Sequence, residues 1–464
     1  MGGLREAPWV ERFMGLEVYA TASRGIGGRI RERLEDFVVH EVLINGLCTE
    51  DVLGMGREPG EGLAGRGSFL LCVLVKQGMD TLEAVARLVK TLSVPAGLVG
   101  FAGLKDAKAV TAQFITVRGL RPECLADLKP VLSPALDLRP VRYMAEPLGP
   151  GHLAANRFEV TVRRLGPDER IILAALEDLL AELKKLSGLP NFYGHQRFGT
   201  ARPVTHLVGR ELVKGDVRKA VEAFLTFIGP GESPATREAR AYLAETGDLR
   251  GFLAHLPKGL YYERLLTRHL LRRPGDYHGA MRKLPLRLRR LFVHAYQAYL
   301  FNRFLSARLR EGMPLHEPLP GDWVVRLDKW GRPTGRPLKA DTANLAALRG
   351  RVKEGKAAVA LPLPGFRQEL SGGRQGELEE AIMEQEGMDR ESFKLKIMPE
   401  LASPGWLRPA AVEVELLRPA EVEEDRLNPG FRALRFSFQL PRGSYATVFL
   451  RELMKPEDPL AAGF

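Results

Sequence analysis

Two strand-rich stretches of this chain flank a long helical one, and that order limits the folds available to it. Within the first two hundred or so residues, β-rich runs alternate with amphipathic helical periodicity. The predicted strands there are 36–44, 69–75, 113–118 and 157–163, and the predicted helices are 81–92 and 168–186. Beyond residue 203 the predicted helices are 212–227, 235–246, 259–271 and 286–309, followed by short strands at 322–327 and 357–361. Strand character returns at 411–417 and 431–440, before a last helical pattern at 445–454.

The order sheet, helix, sheet predicts an α+β fold whose two terminal parts form one domain around an insertion. The chain has 464 residues, which is enough for two domains of ordinary size. We therefore expect one domain from residues 1–202 together with 405–464, and a mostly helical α+β insertion domain from residues 203–404.

Several classes of protein are disfavoured by the sequence. The longest clean apolar run, 69–75, is far too short to span a membrane, and the first dozen residues hold no apolar core of a secretory signal. The three cysteines are too few for a disulfide framework, which fits a reducing, cytoplasmic setting. The nine histidines form no HExxH motif and no close group with cysteine, so we expect no metal.

Positive charge is concentrated in one segment. Lysine and arginine total 68 against 57 aspartate and glutamate residues, a net charge of +11. Residues 281–310 include no acidic side chain and eight basic ones, which are Arg282, Lys283, Arg287, Arg289, Arg290, Arg303, Arg308 and Arg310. Such a basic face fits a phosphate backbone. A solvated helix face explains the same pattern, so charge leaves both interpretations open.

The first candidate for chemistry is the glycine-punctuated segment 97–118, GLVGFAGLKDAKAVTAQFITVR. In it, Lys105, Asp106 and Lys108 follow abruptly on an apolar stretch and precede a strand. The neighbouring lysines favour the ionised form of Asp106, and a positioned carboxylate is a candidate nucleophile. The simpler interpretation is a solvated turn. The glycine spacing matches neither a dinucleotide-binding loop nor a phosphate loop.

The second candidate is the segment 191–199, NFYGHQRFG, which follows a helix terminator. It combines aromatic rings with amide and guanidinium groups, namely Phe192, Tyr193, Phe198, Gln196 and Arg197. Aromatic rings stack on bases and polar groups read base edges, so this composition favours a base-binding pocket. A loop packed under the core, with Arg197 in an ion pair, is the alternative.

Two further positions lie near turns. Tyr445 follows the tight turn Gly443–Ser444 and starts a predicted helix, whose N-terminus suits an anion. An ordinary strand-to-helix corner is the simpler explanation. Arg31 lies near a Gly-Gly pair, just before the first strong strand, and on its own would not be singled out. The sequence contains no GxSxG motif, so it gives no indication of a serine hydrolase.

Taken together and in this order, these segments resemble the TruD family of tRNA pseudouridine synthases. The matching segments are EDFVVHEV from Glu35, FAGLKDAKAVTAQ from Phe101, LGPGHLAANRF from Leu148, NFYGHQRFG from Asn191, LPLPG from Leu361 and LPRGSYATVFLREL from Leu440. They span nearly the whole chain. The GLKD and NFYGHQRFG segments are very specific to the family.

The resemblance implies a fold and an activity. It implies a catalytic domain with a mixed, largely antiparallel sheet that is interrupted by a family-specific insertion domain. It also implies the isomerisation of uridine to pseudouridine in tRNA, with no metal, nucleotide or redox cofactor. The partner is then tRNA, and we expect a monomer that needs no membrane.

The resemblance also implies which residues form the site. Asp106 is the catalytic aspartate, and Arg31 falls where the family places a basic residue that pairs with it. The residues that match the lining of the active site are Asn191, Phe192, Tyr193 and Tyr445. To these we add, as substrate-binding candidates, Lys105, Gln196 and Arg197.

Three positions depart from the pattern of the family. Tyr193 and Tyr445 stand where phenylalanine is also found, which leaves the role of each hydroxyl open. Ala155 stands where glycine is expected, which is a mild change. None of these departures affects Asp106.

The mechanism and the target stay open at this point. Asp106 acts either by attacking the ribose carbon or the base, or by removing a sugar proton on a glycal route, and each version needs the ionised carboxylate. Bacterial members of the family are associated with uridine 13 of certain tRNAs. Archaeal and eukaryotic relatives modify position 35 of a tyrosine tRNA precursor and other RNAs.

For the insertion, our hypothesis is that the basic helix 286–310 faces the cleft, with Arg287, Arg289 and Arg290 on RNA phosphates. The apolar residues expected on its other side are Leu288, Leu291, Phe292, Ala295 and Tyr299. One rival function is a non-catalytic RNA-binding or RNA-folding protein on the same scaffold, which would be expected to lose Asp106 or its basic neighbour. A methyltransferase would need a nucleotide-binding glycine loop, and we find none.

Overall fold

The structure is a computed structural model that describes residues 4–54, 63–105, 107–121 and 135–464. The predicted catalytic residue, Asp106, and Cys124 lie outside the described residues. Among the helices of the described ranges, we find none with the length and apolar character needed to cross a membrane.

The first part of the chain alternates strands and helices. Its elements are α1 (Trp9–Arg12), β1 (Phe37–Leu43), α2 (Thr49–Gly54), β2 (Phe69–Gln77), α3 (Thr81–Leu92), β3 (Val99–Phe101), β4 (Val110–Arg118), β5 (Leu136–Met144), β6 (Leu153–Leu165), α4 (Glu169–Lys185) and β7 (Leu189–Pro190). The start of α3 is as predicted, because the Asp80 carboxylate accepts a hydrogen bond from the Glu83 backbone N–H at 2.9 Å. α4 ends just before Gly188, as the glycine there predicts.

The second part is predominantly helical. Its elements are α5 (Thr205–Val213), α6 (Val217–Thr226), α7 (Pro234–Thr246), α8 (Leu249–His255), α9 (Tyr261–Arg272), α10 (Tyr277–Lys283), α11 (Leu286–Arg310), β8 (Trp323–Leu327), β9 (Pro333–Lys339), α12 (Leu345–Lys353), β10 (Ala357–Leu363), α13 (Gly373–Gln385) and β11 (Trp406–Pro409). The prediction of a single helix at 212–227 is wrong. The chain turns at Gly215, whose φ of +80° lies in the left-handed region, and Asp216 caps a new helix.

The last part returns to strands. Its elements are β12 (Ala411–Val412), β13 (Glu415–Glu424), β14 (Arg432–Pro441) and α14 (Ala446–Met454). The strand predicted at 411–417 is therefore two strands, of which β12 pairs with β7 and β13 pairs with β14.

The first and last parts share one sheet. Within the described residues it has eight strands in the order β13-β14-β6-β1-β4-β2-β5, with β3 paired to β4. β1 and β4 run parallel, and the other neighbours run antiparallel. This confirms the predicted α+β class with a mixed, largely antiparallel sheet.

The helical part carries a smaller sheet of its own. Within the described residues this sheet has four strands in the order β11-β10-β8-β9. β11 lies after the predicted boundary at residue 405, yet it pairs with β10. The division into two domains at residues 203 and 405 stays a prediction, and the pairing favours a boundary a few residues later.

α11 lies at the centre of the helical part and packs against α5, α13 and β10. Its buried side chains include Phe292, Tyr296, Phe301 and Arg308 and surround the helix axis. This differs from the predicted one-sided burial, since a helix with an apolar stripe would leave its other face in water.

The basic run at 281–310 is partly neutralised by acids that are distant in sequence. Arg303 contacts Glu17 at 3.3 Å and Glu386 at 3.0 Å. Arg308 is fully buried and contacts Asp322 at 2.7 Å. The positive face that the sequence predicts is therefore smaller than the count of basic residues implies.

A buried carboxyl group on α13 predicts a pH dependence of stability. Burial raises the pKa of Glu379 from its usual 4.5 to about 7, against opposing hydrogen bonds from Ser371 and Gln375. Because the pKa of Glu379 is higher in the folded state than in the unfolded state, protonation of this carboxyl group stabilises the fold. The stabilisation is complete below about pH 4.5 and is lost as the pH rises through about 7. We expect Glu379→Gln to shrink the difference in free energy of unfolding between about pH 5 and about pH 8 by about 2–3 kcal/mol. Denaturant titrations at both pH values measure it, and an unchanged difference would contradict the assignment.

Candidate active site

The loop that carries position 106 is anchored on both sides of that position. Thr81 Oγ1 accepts a hydrogen bond from the Lys105 backbone N–H at 2.8 Å, and the buried Lys76 Nζ donates to the Lys105 carbonyl oxygen at 3.4 Å. Beyond position 106, the Gly78 N–H donates to the Ala109 carbonyl oxygen at 3.4 Å. Lys105 and Ala109 are therefore held where β2 ends and β4 begins.

The side chain of Lys105 is enclosed by the sheet. Its Nζ lies 3.1 Å from Glu41 Oε1 on β1 and donates a hydrogen bond to Asn156 Oδ1 on β6. Glu41 is fully buried, and its other carboxylate oxygen accepts the Phe114 N–H at 2.8 Å. Lys105 thus fastens the loop to two central strands, and its predicted contact with substrate stays a prediction.

One face of the sheet beneath the loop is polar and buried. We call it the polar floor, and its residues are Glu41, Lys76, Thr111, Gln113 and Asn156. Among the described residues, Thr111 Oγ1 and Gln113 Nε2 have no hydrogen-bond partner. Buried polar atoms in native proteins almost always have one, so these two atoms can each bind a further polar group. We did not predict the polar floor. Its signal is the alternation of polar and apolar residues along β4.

Arg31 lies near the same end of the central strands, where β1 and β4 begin. Its φ of +58° lies in the left-handed region, which few residues other than glycine adopt. The guanidinium lies 4.2 Å from the centroid of the Phe37 ring, and Nη1 donates to the Gly463 carbonyl oxygen at 3.5 Å. Phe37 begins β1, and the next residue, Val38, pairs with Val110 at the start of β4. Arg31 and the loop therefore meet the same end of two parallel strands.

The NFYGHQRFG segment is bound to the helical part and to the residues that follow it. The Asn191 N–H donates to the Ala410 carbonyl oxygen at 2.8 Å, and its Nδ2 donates to the Pro409 carbonyl oxygen at 3.1 Å. Asn302 on α11 is fully buried and binds the backbone of Tyr193 twice, accepting from its N–H at 2.8 Å and donating to its carbonyl oxygen at 3.1 Å. The position of this segment therefore depends on residues from the second part of the chain.

Tyr193 is the centre of an aromatic cluster. The centroid of its ring lies 5.6 Å from that of Phe301 and 5.9 Å from that of Tyr445, both edge to face. Gly194 permits this approach, because a Cβ atom there would lie 2.6 Å from Thr447 Oγ1 and 3.1 Å from Tyr445 Cδ1. The structure thus joins two segments that are far apart in sequence, as their predicted roles require.

Other predicted substrate contacts are engaged within the protein. Phe192 is buried in the core. Gln196 Oε1 accepts a hydrogen bond from Thr447 Oγ1 at 3.0 Å. Both hold the segment in place, and direct contact with substrate stays a prediction for each.

A buried ionic network connects the NFYGHQRFG segment, through His195, to α1 and α14. Glu11 lies 3.3 Å from His195 and 2.7 Å from Arg451, and the same arginine contacts Glu452 at 2.7 Å. Burial opposes the ionisation of Glu11, but Arg451 and His195 outweigh it and hold the pKa of Glu11 below its usual value. The network therefore fastens α14 to the N-terminal segment and to the backbone of the site.

Arg408 on β11 joins the segments around Tyr193, and our sequence analysis missed it. Its Nε donates to the Asn191 carbonyl oxygen at 2.9 Å, and its Nη2 donates to Asn191 Oδ1 at 2.6 Å and to the Gly443 carbonyl oxygen at 2.9 Å. Its Cζ lies 4.1 Å from the centroid of the Tyr193 ring. A planar guanidinium can bind several acceptors while it stacks on a ring, which an ammonium cannot do. No motif around this arginine marks it in the sequence.

The three arginines predicted to bind phosphates differ in accessibility. Arg287 and Arg290 are exposed. Arg289 is buried, donating to the Leu284 carbonyl oxygen at 3.1 Å and to Glu400 Oε1 at 2.6 Å. A buried and paired guanidinium is poorly placed to bind RNA, so we narrow this prediction to the two exposed arginines.

Potential metal ligands come together at one place in the described ranges of the chain. The ligand atoms of Cys48, Glu50 and Asp51 lie within 4.8 Å of one another. Arg157 contacts Glu50 at 3.3 Å and Asp51 at 3.4 Å, so ion pairs already neutralise these carboxylates. We assign no metal to this group.

Comparison with known proteins gives consistent matches over almost the full chain. The family model described as tRNA pseudouridine synthase D (TruD) matches residues 13–453. A relative from Methanococcoides burtonii, named probable tRNA pseudouridine synthase D, is 35% identical over 98% of this chain and 99% of its own. One of the same name from Methanopyrus kandleri is 42% identical over 89% of this chain and 92% of its own. A crystal structure of a TruD protein from Methanosarcina mazei superposes with a TM-score of 0.80 at 33% identity, covering 97% of this chain and 98% of that one.

The fold and these matches define a pseudouridine synthase, an isomerase that converts uridine in RNA to pseudouridine. More narrowly, the chain belongs to the TruD family of tRNA pseudouridine synthases, which confirms the resemblance of its motifs.

Proposed function

We propose that the chain isomerises one specific uridine of tRNA and that Asp106 is the catalytic residue. The observation that carries this proposal is the anchoring of the loop at Lys105 and Ala109, on both sides of position 106. Anchored neighbours on both sides reduce the freedom that a catalytic side chain between them must lose in order to react. We propose Arg31, whose guanidinium contacts Phe37 at the start of β1, as the cationic neighbour of Asp106 that the family pattern implies.

The chemistry explains why a charged carboxylate is needed. The C1′–N1 bond of uridine breaks, the uracil turns, and a new bond forms between C1′ and C5, while the C5 proton is lost and N1 gains one. Asp106 starts this sequence as a nucleophile or by removing a sugar proton, and both roles need its ionised form. The positive charge of Arg31 favours that form.

The aromatic cluster supplies the second requirement, which is a place for the extruded base. Turning a uridine out of a folded RNA costs roughly a few kcal/mol. Stacking on an aromatic ring returns about 1–3 kcal/mol per base. Tyr445 is partly exposed and lies in contact with Tyr193, so it is the ring we propose for this stacking. Tyr193 is only 6% exposed and is held by Asn302, so we propose that it supports Tyr445, and its direct contact with the base stays a prediction.

Incubation of the enzyme with transcribed tRNA tests the proposal, with pseudouridine mapped by carbodiimide modification and primer extension. We expect one new pseudouridine, at position 13 or at position 35 of a tyrosine tRNA precursor. RNA that is bound but never modified would refute the proposal and would support a non-catalytic RNA-binding protein. A cytoplasmic location and a monomeric state stay predictions.

For the RNA backbone we propose Arg287 and Arg290 as phosphate ligands. Replacing both by glutamate should weaken tRNA binding and make it less sensitive to salt. In a plot of the logarithm of the binding constant against the logarithm of the salt concentration, the slope should become less steep by about 0.7 to 0.9 for each phosphate that is no longer bound. Filter binding at several salt concentrations measures both quantities. Arg170→Glu, at an exposed arginine on α4, is the control. If affinity and slope of the double variant equal those of the control, these arginines do not contact RNA.

A further inference from the structure

A group of side chains on the surface borders the aromatic cluster around Tyr193. We call it the flanking patch, and it consists of the exposed Arg290 and Trp406 and the half-buried Arg197 and His294. Trp406 on β11 is 40% exposed, and its ring meets that of His294 edge to face at 5.6 Å. The Arg197 guanidinium lies 5.6 Å from the centroid of the Tyr193 ring. The positive charges of Arg197 and Arg290 both act on His294, so these side chains lie close together and beside the aromatic cluster.

The cations of the flanking patch have no acidic partner among the described residues. The Nε atom of Arg197 is buried there without a hydrogen-bond partner, and Nε of Arg290 donates to a backbone carbonyl oxygen, that of Glu400, at 3.2 Å. Burial and the positive charges of Arg197 and Arg290 lower the pKa of His294 to about 4, so this ring is neutral near pH 7. Two guanidinium groups without carboxylate partners suit an anion, and an exposed indole beside them suits a base.

Another exposed tryptophan shows how an ordinary surface differs. Trp9 on α1 is 59% exposed and also lies beside two arginines, Arg12 and Arg310. Arg12 contacts Glu6 at 3.9 Å, and Arg310 contacts both Glu6, at 2.9 Å, and Glu17. Since their charge is already neutralised, that surface lacks the feature that distinguishes the flanking patch.

We propose that the flanking patch is a second nucleotide subsite, which binds the nucleotide next to the target uridine. Its base stacks on the Trp406 indole, and its phosphate binds Arg197 and Arg290. The proposal rests on the proposed function and deepens it, because it names what holds the RNA strand while the uridine is turned out. Extrusion of the uridine breaks its stacking on both neighbours, and stacking of one neighbour on the protein offsets part of that loss. Arg197 contacts the ring of Tyr193, which puts the two sites side by side.

A double-mutant cycle between protein and RNA tests this subsite. Trp406→Ala is combined with tRNA transcripts that lack one base, on the 5′ or on the 3′ side of the mapped uridine, and the dissociation constant and single-turnover rate are measured for each pair. On intact tRNA we expect Trp406→Ala to weaken binding or slow turnover about 5- to 100-fold. On one of the two abasic RNAs the variant and the wild-type enzyme should become nearly equal. Trp9→Ala should match the wild type on every RNA.

Two results would overturn the subsite: no loss with Trp406→Ala on intact tRNA, or the same loss on intact and on both abasic RNAs. If Trp406→Ala does not fold, Trp406→Leu, which keeps apolar volume but no aromatic ring, replaces it in the same cycle. Failure of the proposed function is separately visible, since wild-type enzyme would then make no pseudouridine in any of these RNAs.

Discussion

Asp106→Asn should abolish pseudouridine formation while leaving tRNA binding intact. Asparagine keeps the shape of the side chain but cannot act as a nucleophile or remove a proton, so we expect the single-turnover rate to fall by more than about 10³-fold. Binding should persist, because the proposed phosphate and base contacts lie on other residues. Carbodiimide mapping over time measures the rate, and filter binding measures the affinity.

A nearby aspartate provides a matched control for this substitution. Asp80 is exposed and caps α3 through its hydrogen bond to the Glu83 N–H. Asparagine is an equally good N-cap, so Asp80→Asn should leave both stability and rate near those of the wild type. Turnover by Asp106→Asn at a rate close to that of Asp80→Asn would show that position 106 does not carry the reaction.

Arg408→Ala should lower kcat roughly 10²-fold, because displacement of reacting groups by about an ångström costs that much. The guanidinium holds Asn191 and the Gly443 carbonyl oxygen together and lies against the ring of Tyr193. We describe it as a positioning residue, since these contacts are all within the protein. Single-turnover rates at saturating enzyme separate this effect on the reaction from an effect on RNA affinity.

Two further measurements distinguish positioning from a general loss of stability. Guanidinium added to the solution should restore part of the rate of Arg408→Ala, and Arg408→Lys should stay impaired, since lysine lacks the planar fork of donors. Arg308 is the control, because it is also buried but binds Asp322 and the Pro314 carbonyl oxygen. Arg308→Lys should lower the melting temperature without lowering the rate of the folded enzyme. Equal rates for the two lysine variants would contradict the positioning role.

The elements that sequence predicts well are those with local signals. α3 and α11 begin where predicted, at residues 81 and 286, because a cap or a proline marks each start. Gly215 breaks a predicted helix because its left-handed conformation is a local choice that helical periodicity does not report. The resemblance of the motifs predicted the family, and the order of strands and helices predicted the α+β fold class.

The parts that sequence misses depend on partners far along the chain. Lys105 adjoins Asp106 in sequence, yet its side chain turns to Glu41, which only the packing of strands determines. Arg289 is basic and lies in a basic run, yet Glu400 neutralises its charge. Arg408 has no motif of its own, and its importance appears only when β11 is placed beside the NFYGHQRFG segment. In each case the tertiary contact decides the role.

The most direct test of the central claim follows the hydrogen at C5 of the target uridine. Joining C1′ to C5 expels that hydrogen, so tRNA transcribed with uridine tritiated at C5 should release tritium into water when it is isomerised. We expect the wild-type enzyme to release one equivalent per tRNA without any added cofactor, and Asp106→Asn to release none while it still binds the RNA. Tight binding by the wild-type enzyme with no tritium release would contradict the account.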